Sequence, residues 1–406
     1  FERSNLIGKS RVVDSLGQTI LESGNNLFVV NDQDNLVHVD GKPDIVTRDW
    51  TGIVTLDNAG NRSPRSAANA RTDTFNEYYI VNLAGGSGGI INIADTGGID
   101  GFDELYLYGT RGNDTVRIDA GSGDLTAGQI VVGDDPLTNE YINHRQVSRV
   151  TVNVLDGDDT ILSDDNSVQT IINLGPGQDE LIVGTVPQIP DKGNRTIEFP
   201  GGVPIADTEN MTNGNSAEMI VYGGDDDDQF EVNHNTAKLF LHGGAHDDTF
   251  IINTFLVLRE QTPEGEAIAN LSTLFGGTGS NRYDYLQNAP VFINGGTGTD
   301  TIVINGTPIG DTFVVTENSV AGAGRLTYFT NIERLEVNGA GGNDEIYVIS
   351  TSKDVELIIR GGSGDDTIHL GGDHPIILFD PPEFNYQPPS YTVQDPPQIP
   401  YNAYSI

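Results

Sequence analysis

The chain has 406 residues with 50 Gly, 59 acidic against 21 basic side chains, no Cys, and a formal charge of −38. That charge argues against nucleic acid and against an anionic membrane surface, and the lack of Cys excludes disulfides, thiolate metal sites and Cys nucleophiles. No apolar run reaches 18 residues, so no helical membrane insertion is expected, and a chain opening at Phe1 reads as processed or cut from a longer precursor.

Residues 1–78 carry 8 of the 21 basic residues and one hairpin signal, LFVVNDQDNLVHV. They read as a non-repetitive β cap, since the open end of a repetitive sheet needs covering.

From residue 79 to 375 one pattern recurs: apolar residues alternating with others, a six-residue Gly/Asp turn, then alternation again. In chain order the copies are ELYLYGTRGNDTVRI, RVTVNVLDGDDTILS, TIINLGPGQDELIV, AEMIVYGGDDDDQFEV, KLFLHGGAHDDTFII, APVFINGGTGTDTIVI, ERLEVNGAGGNDEIYV and VELIIRGGSGDDTIHL. Their turns end on Asp114, Asp159, Asp179, Asp228, Asp248, Asp300, Asp344 and Asp366. Residues two before each turn (such as Leu107 and Ile293) and two after each Asp (such as Val116 and Ile302) are all apolar. Period-two alternation on both sides of a turn means two strands, each burying one face. Two further copies depart from the pattern, with Ile90 and Asn281 in place of the Asp.

Short polar bends return the chain from each second strand to the next first strand. Equivalent strands then pair in parallel, and the expected fold is an all-β, parallel β-solenoid with about 20–22 residues per coil. Paired copies begin at 90, 159, 228, 281 and 344, that is 69, 69, 53 and 63 residues apart, which fits three coils per unit with the third degenerate. Residues 186–216 and 254–275 read as insertions, the second with a short helix. The segment 376–406, rich in Pro and Tyr, reads as an extended tail that covers an end, lies along a flank or docks on a neighbour.

The glycines of the turns, such as Gly296, Gly298, Gly362 and Gly364, permit backbone conformations that aim carbonyl oxygens to one side. The final Asp adds a carboxylate, and Asp226 adds a second in GGDDDD. Hard oxygen donors in flexible geometry suit Ca²⁺ rather than Mg²⁺ or Zn²⁺. A column of carboxylates repeating at ~4.8 Å repels itself without counter-charge, and few Lys or Arg lie near the turns. At roughly ten times a Kd of about 10⁻⁴–10⁻³ M, each site adds about 1.4 kcal/mol, so eight sites add on the order of 10 kcal/mol. Calcium would then decide whether the chain folds.

GGTGTDTIV and GGSGDDTIH resemble the RTX, or hemolysin-type, calcium-binding repeat. The resemblance implies a parallel β-roll with several Ca²⁺ ions between turns and folding after bacterial export, hence an extracellular or cell-surface protein. With the signature once per coil or less, it also implies sites along one edge only.

His234, His242, His246 and Asp247 are the residues a transition metal would take, although a polar turn is the better account of them. The spelling GGSGG at 85–89 matches a nucleophile elbow only in the way that any Gly-rich turn does. No catalytic constellation emerges, so the reading is a secreted structural or adhesive protein rather than an enzyme. It would form a homo-oligomer or polymer in a layer, sheath or filament, with a cell-surface glycan as candidate ligand. The alternatives are the calcium-binding segment of a larger adhesin or toxin, and a β-helix polysaccharide lyase or epimerase.

Overall fold

The alternating segments become strands that bury every second side chain, and in the computed structural model two twelve-stranded sheets collect them. The described residues run from Tyr78 to Gly372, apart from 84–88, 96–101, 122–126, 136, 187, 190–204, 207–209 and 259–282, and include five short strands before Tyr78. The chain divides by its contacts into Phe1–His374 and Pro375–Ile406, the second outside the described residues. Every described element is a strand, turn or bend, and the protein is all-β.

Sheet one runs, edge to edge, Val46–Arg48, Gly89–Asp95, Glu140–Arg145, Ala127–Val132, Thr115–Ala120, Thr160–Ser163, Glu180–Val183, Gln229–Val232, Thr249–Asn253, Thr301–Asn305, Arg334–Asn338, Glu356–Arg360. Sheet two runs Tyr78–Asn82, Glu104–Tyr108, Arg149–Asn153, Gln169–Pro176, Met219–Asp225, Leu239–Ala245, Val291–Thr297, Arg325–Thr330, Ser319–Gly322, Thr312–Val315, Glu345–Val348, Thr367–Leu370. Most neighbours are parallel and in register, as in Thr160↔Glu180 and Gln229↔Thr249. The apolar faces of both sheets share one core that includes Val116, Ile161, Leu181, Phe230, Phe250 and Ile302 from sheet one. Sheet two contributes Leu107, Val152, Ile172, Val221, Leu241 and Ile293. Aromatic residues stack from strand to strand, Phe230 on Phe250 at 4.7 Å and Phe240 on Phe292 at 4.8 Å between centroids, separations that match the strand spacing.

The expected third, degenerate coil is absent from the stack. Glu180 pairs directly with Gln229 and Thr249 with Thr301, so the residues between leave the sheets without adding strands to them. Elsewhere the extra length is a hairpin inside a sheet. Ala127–Val132 and Glu140–Arg145 insert antiparallel strands into sheet one, and Thr312–Val315 with Ser319–Gly322 do so in sheet two. Both hairpins carry the same period-two alternation as the coils, because a strand buries one face whichever way it runs.

Before Tyr78, Val29–Val30 and Leu36–Val37 form the expected hairpin, and Val46–Arg48 adds to the Gly89–Asp95 edge. In the insertions, Gln188–Ile189 pairs with Ile205–Ala206 and Leu256–Leu258 with Tyr283–Tyr285. The helix expected within 254–275, at PEGEAIANLSTLF, lies outside the described residues.

Candidate metal centre: the aspartate ladders

At each turn the chain passes from one sheet to the other, and the last Asp of the turn meets its equivalents above and below. The Asp114 N–H donates to Asp159 Oδ1 at 2.6 Å, that of Asp159 to Asp179 at 2.7 Å, and that of Asp179 to Asp228 at 3.0 Å. Asp228 donates to Asp248 and Asp248 to Asp300, both at 2.9 Å. The column ends where the Asp300 N–H meets Glu333 Oε2 at 2.9 Å. A second column links Asp311 to Asp344 at 2.7 Å and Asp344 to Asp366 at 3.1 Å.

Sequence spacing within these bonds is 20 to 22 residues where nothing intervenes, and 33 to 52 where a hairpin or insertion does. A parallel column of outer residues runs the opposite way. Asp158 N–H donates to Asn113, Gln178 to Asp158, Asp247 to Asp227, Thr299 to Asp247 and Asp365 to Asn343.

The two inner columns lie on opposite edges, which corrects the expectation of a single edge. Up to Asp300 the Gly/Asp turn leads from sheet two to sheet one, as from Val291–Thr297 to Thr301–Asn305. Asp311, Asp344 and Asp366 lie on turns from sheet one back to sheet two, as from Arg334–Asn338 to Glu345–Val348. Asp311 was not singled out in the sequence, although NGTPIGDTFVV carries the full pattern.

While the first column occupies one edge, buried asparagines occupy the other. Asn215 Nδ2 donates to Ala217 and Ala237 carbonyls, Asn235 Nδ2 to Ala237 and Ala289, and Asn166 Oδ1 accepts the Ala217 N–H. Arg325 then closes this column, donating to Asn235 Oδ1 at 2.7 Å and to carbonyls of Asn253, Asn233 and Val232.

Apart from Asp114 and Asp311, which begin the columns, each inner Asp uses Oδ1 for its neighbour's N–H, while Oδ2 of Asp159, Asp179, Asp228, Asp248, Asp300 and Asp344 has no hydrogen-bond partner. These six residues are 0–2% exposed, and an unpaired buried acceptor is costly. Beside that oxygen in Asp228, Asp248, Asp300 and Asp344 the backbone is pared to glycine, whereas Val154 and Leu174 hold the same place in the turns of Asp159 and Asp179. A β-carbon on Gly223 would strike Asp228 Oδ2 and the Gly243 carbonyl, one on Gly243 would strike Asp248 Oδ2 and the Gly295 carbonyl, and one on Gly339 would strike Asp344 Oδ2 and the Gly361 carbonyl. Carboxylate and carbonyl oxygens therefore converge with no donor between them. In kind, these donors fit Ca²⁺. Among the described residues no three His, Asp or Glu side chains gather into one group, so a cation here would rest on one carboxylate per turn plus carbonyls.

Burial, opposed by the neighbouring N–H and reinforced by adjacent carboxylates, pushes Asp228 up to about 8, Asp159 and Asp248 to about 7, and Asp179 and Asp300 to about 6. Burial, again opposed by a backbone N–H, raises Asp344 to about 6, and Asp311 rises to about 7.

Asp366 closes the second column, less buried than the others and with no following carbonyl beside it. Asp226 stands outside both columns. Its left-handed backbone (φ +83°) gives its N–H to His246 Nδ1 at 3.0 Å, and its side chain is exposed. Gly296, Gly298, Gly362 and Gly364 all have positive φ, and a β-carbon on any of them would strike a carbonyl of the preceding coil. Their place is one of close stacking.

The three histidines stand apart. His234 Nδ1 meets the Thr212 carbonyl, His242 stacks on Tyr222 at 4.8 Å, and His246 sits in its turn. Comparison with known proteins returned no match among family models, curated proteins or solved structures, so the RTX resemblance rests on the short motif itself.

Proposed function

We propose that this chain is an exported, calcium-stabilised β-solenoid with a structural or adhesive role, built to assemble with copies of itself. Successive strands alternate between two sheets and pair in register with their equivalents one coil away, which supports the solenoid reading. The observation that carries the calcium reading is the set of six buried Oδ2 atoms, each lacking a donor. Those six Asp residues, four of them beside the carbonyls of Gly243, Gly295, Asn331 and Gly361, would hold the ions, and the ions would supply positive charge to the columns. The many in-register turns then serve as a scaffold whose folding is tied to a calcium-rich exterior.

The test is thermal unfolding of the full chain, followed by circular dichroism, with millimolar CaCl₂ and with EGTA. A gain of 10 °C or more with calcium is expected, together with concentration-dependent light scattering. Equal melting in both buffers overturns the calcium reading and leaves the columns as plain hydrogen-bond ladders. A strict monomer at high concentration in calcium removes the self-assembly.

A further inference from the structure

The nine turns of the two columns are not all alike. At Asp114 and Asp311 the second residue of the turn is Thr, and both carboxylate oxygens are satisfied within the turn. The Thr110 N–H donates to Asp114 Oδ2 at 2.6 Å and its hydroxyl to Oδ1 at 3.1 Å. The Thr307 N–H donates to Asp311 Oδ2 at 2.5 Å and its hydroxyl to Oδ1 at 2.8 Å.

In the six turns with an unpartnered Oδ2 the second residue is instead Leu155, Gly175, Gly224, Gly244, Gly296 or Ala340, every one with positive φ. A left-handed residue there carries its N–H away from the carboxylate, whereas neither threonine takes a positive φ. The two threonines also occupy matching places in the topology. Asp114 and Asp311 each begin a column, so no preceding Asp offers an N–H to their Oδ1.

We infer that the second residue of each turn decides cation occupancy, with Thr110 and Thr307 standing in for the ion at Asp114 and Asp311 while the six open carboxylates take Ca²⁺. This rests on the calcium reading above and adds the residue that switches a site off. Each threonine serves as a column terminator and supplies the donors that an ion would otherwise replace.

Equilibrium dialysis of the full chain against ⁴⁵Ca²⁺ tests it, with circular dichroism to show that each variant is folded. Thr307→Gly is expected to bind one more Ca²⁺ per chain than the parent, and Thr110→Gly, the second chance should the first not fold, likewise one more. Asp344→Asn, which keeps an oxygen for the Asp311 N–H, is expected to bind one fewer. Unchanged counts in both threonine variants beside a loss in Asp344→Asn overturn the inference and leave the calcium reading standing. Parent and variants all without bound Ca²⁺ overturn both.

Discussion

In the six turns with an unpartnered Oδ2 a single residue type, aspartate, does two jobs. Its Oδ1 satisfies a buried N–H of the adjacent coil, which is reason enough for an acid at that place, and its Oδ2 is the group that calls for a cation or a proton. The second job has a pH consequence. The ladder carboxylates titrate higher in the folded chain than in the unfolded one, near 6 to 8 against an ordinary value near 4. The folded state therefore holds more protons across that window. The contribution of these carboxylates to stability without metal is fullest below about pH 4 and is lost as pH rises through 6 to 8. Melting in EGTA should accordingly fall from pH 5 to pH 8, and calcium should flatten the decline. A metal-free melting temperature that climbs over this range would contradict the burial of these groups. Aspartate and glycine were legible in the sequence at eight turns because repetition fixes which position matters. Asp311 was not, since it follows Asp300 more closely than one coil allows and its turn lies on the other edge.

Among the elements, the coil strands could be read directly, because a buried strand in a stack shows its alternation and each turn shows its glycines. The direction of a strand leaves no such local mark. The hairpins at Ala127–Arg145 and Thr312–Thr330 thus looked like lost coils, and the asparagines of the return bends looked like ordinary turn residues. Yet Asn215 and Asn235 are fully buried and hold carbonyls of two coils each. Arg325, delivered by the second hairpin, completes that column with donors to three backbone carbonyls and no carboxylate among its hydrogen-bond acceptors. Arg325→Met keeps the volume and removes those donors, leaving several buried carbonyls unpaired. It should cost on the order of 3 kcal/mol, read as a lowered denaturation midpoint. A cost under about 1 kcal/mol would mean that water or backbone adjustment replaces the guanidinium.

At the scale of the molecule, each strand of the two sheets pairs with its immediate neighbours, and on the solenoid reading stability is a chain of nearest-neighbour terms. The two ends of that chain differ. The first column opens under a threonine and finishes on Glu333, whereas the second runs out at Asp366. Beside it Ile368 and Leu370 are 47% and 79% exposed, while their equivalents Ile346 and Val348 are buried.

Under mechanical load this asymmetry would choose where the stack of strands gives way. Tension applied through the two ends of the chain should strip Thr367–Leu370 and Glu356–Arg360 first and then travel toward the amino-terminal side. Each coil of about 20 residues would pay out roughly 70 Å of slack. Single-molecule stretching in calcium should show a staircase of such steps, larger where a hairpin or insertion adds length, and the same trace in EGTA should lose force at every step. Rupture of the whole stack in one event would mean that the coils hold one another far beyond their nearest neighbours. Pulled in this way, the stack would lengthen before it broke.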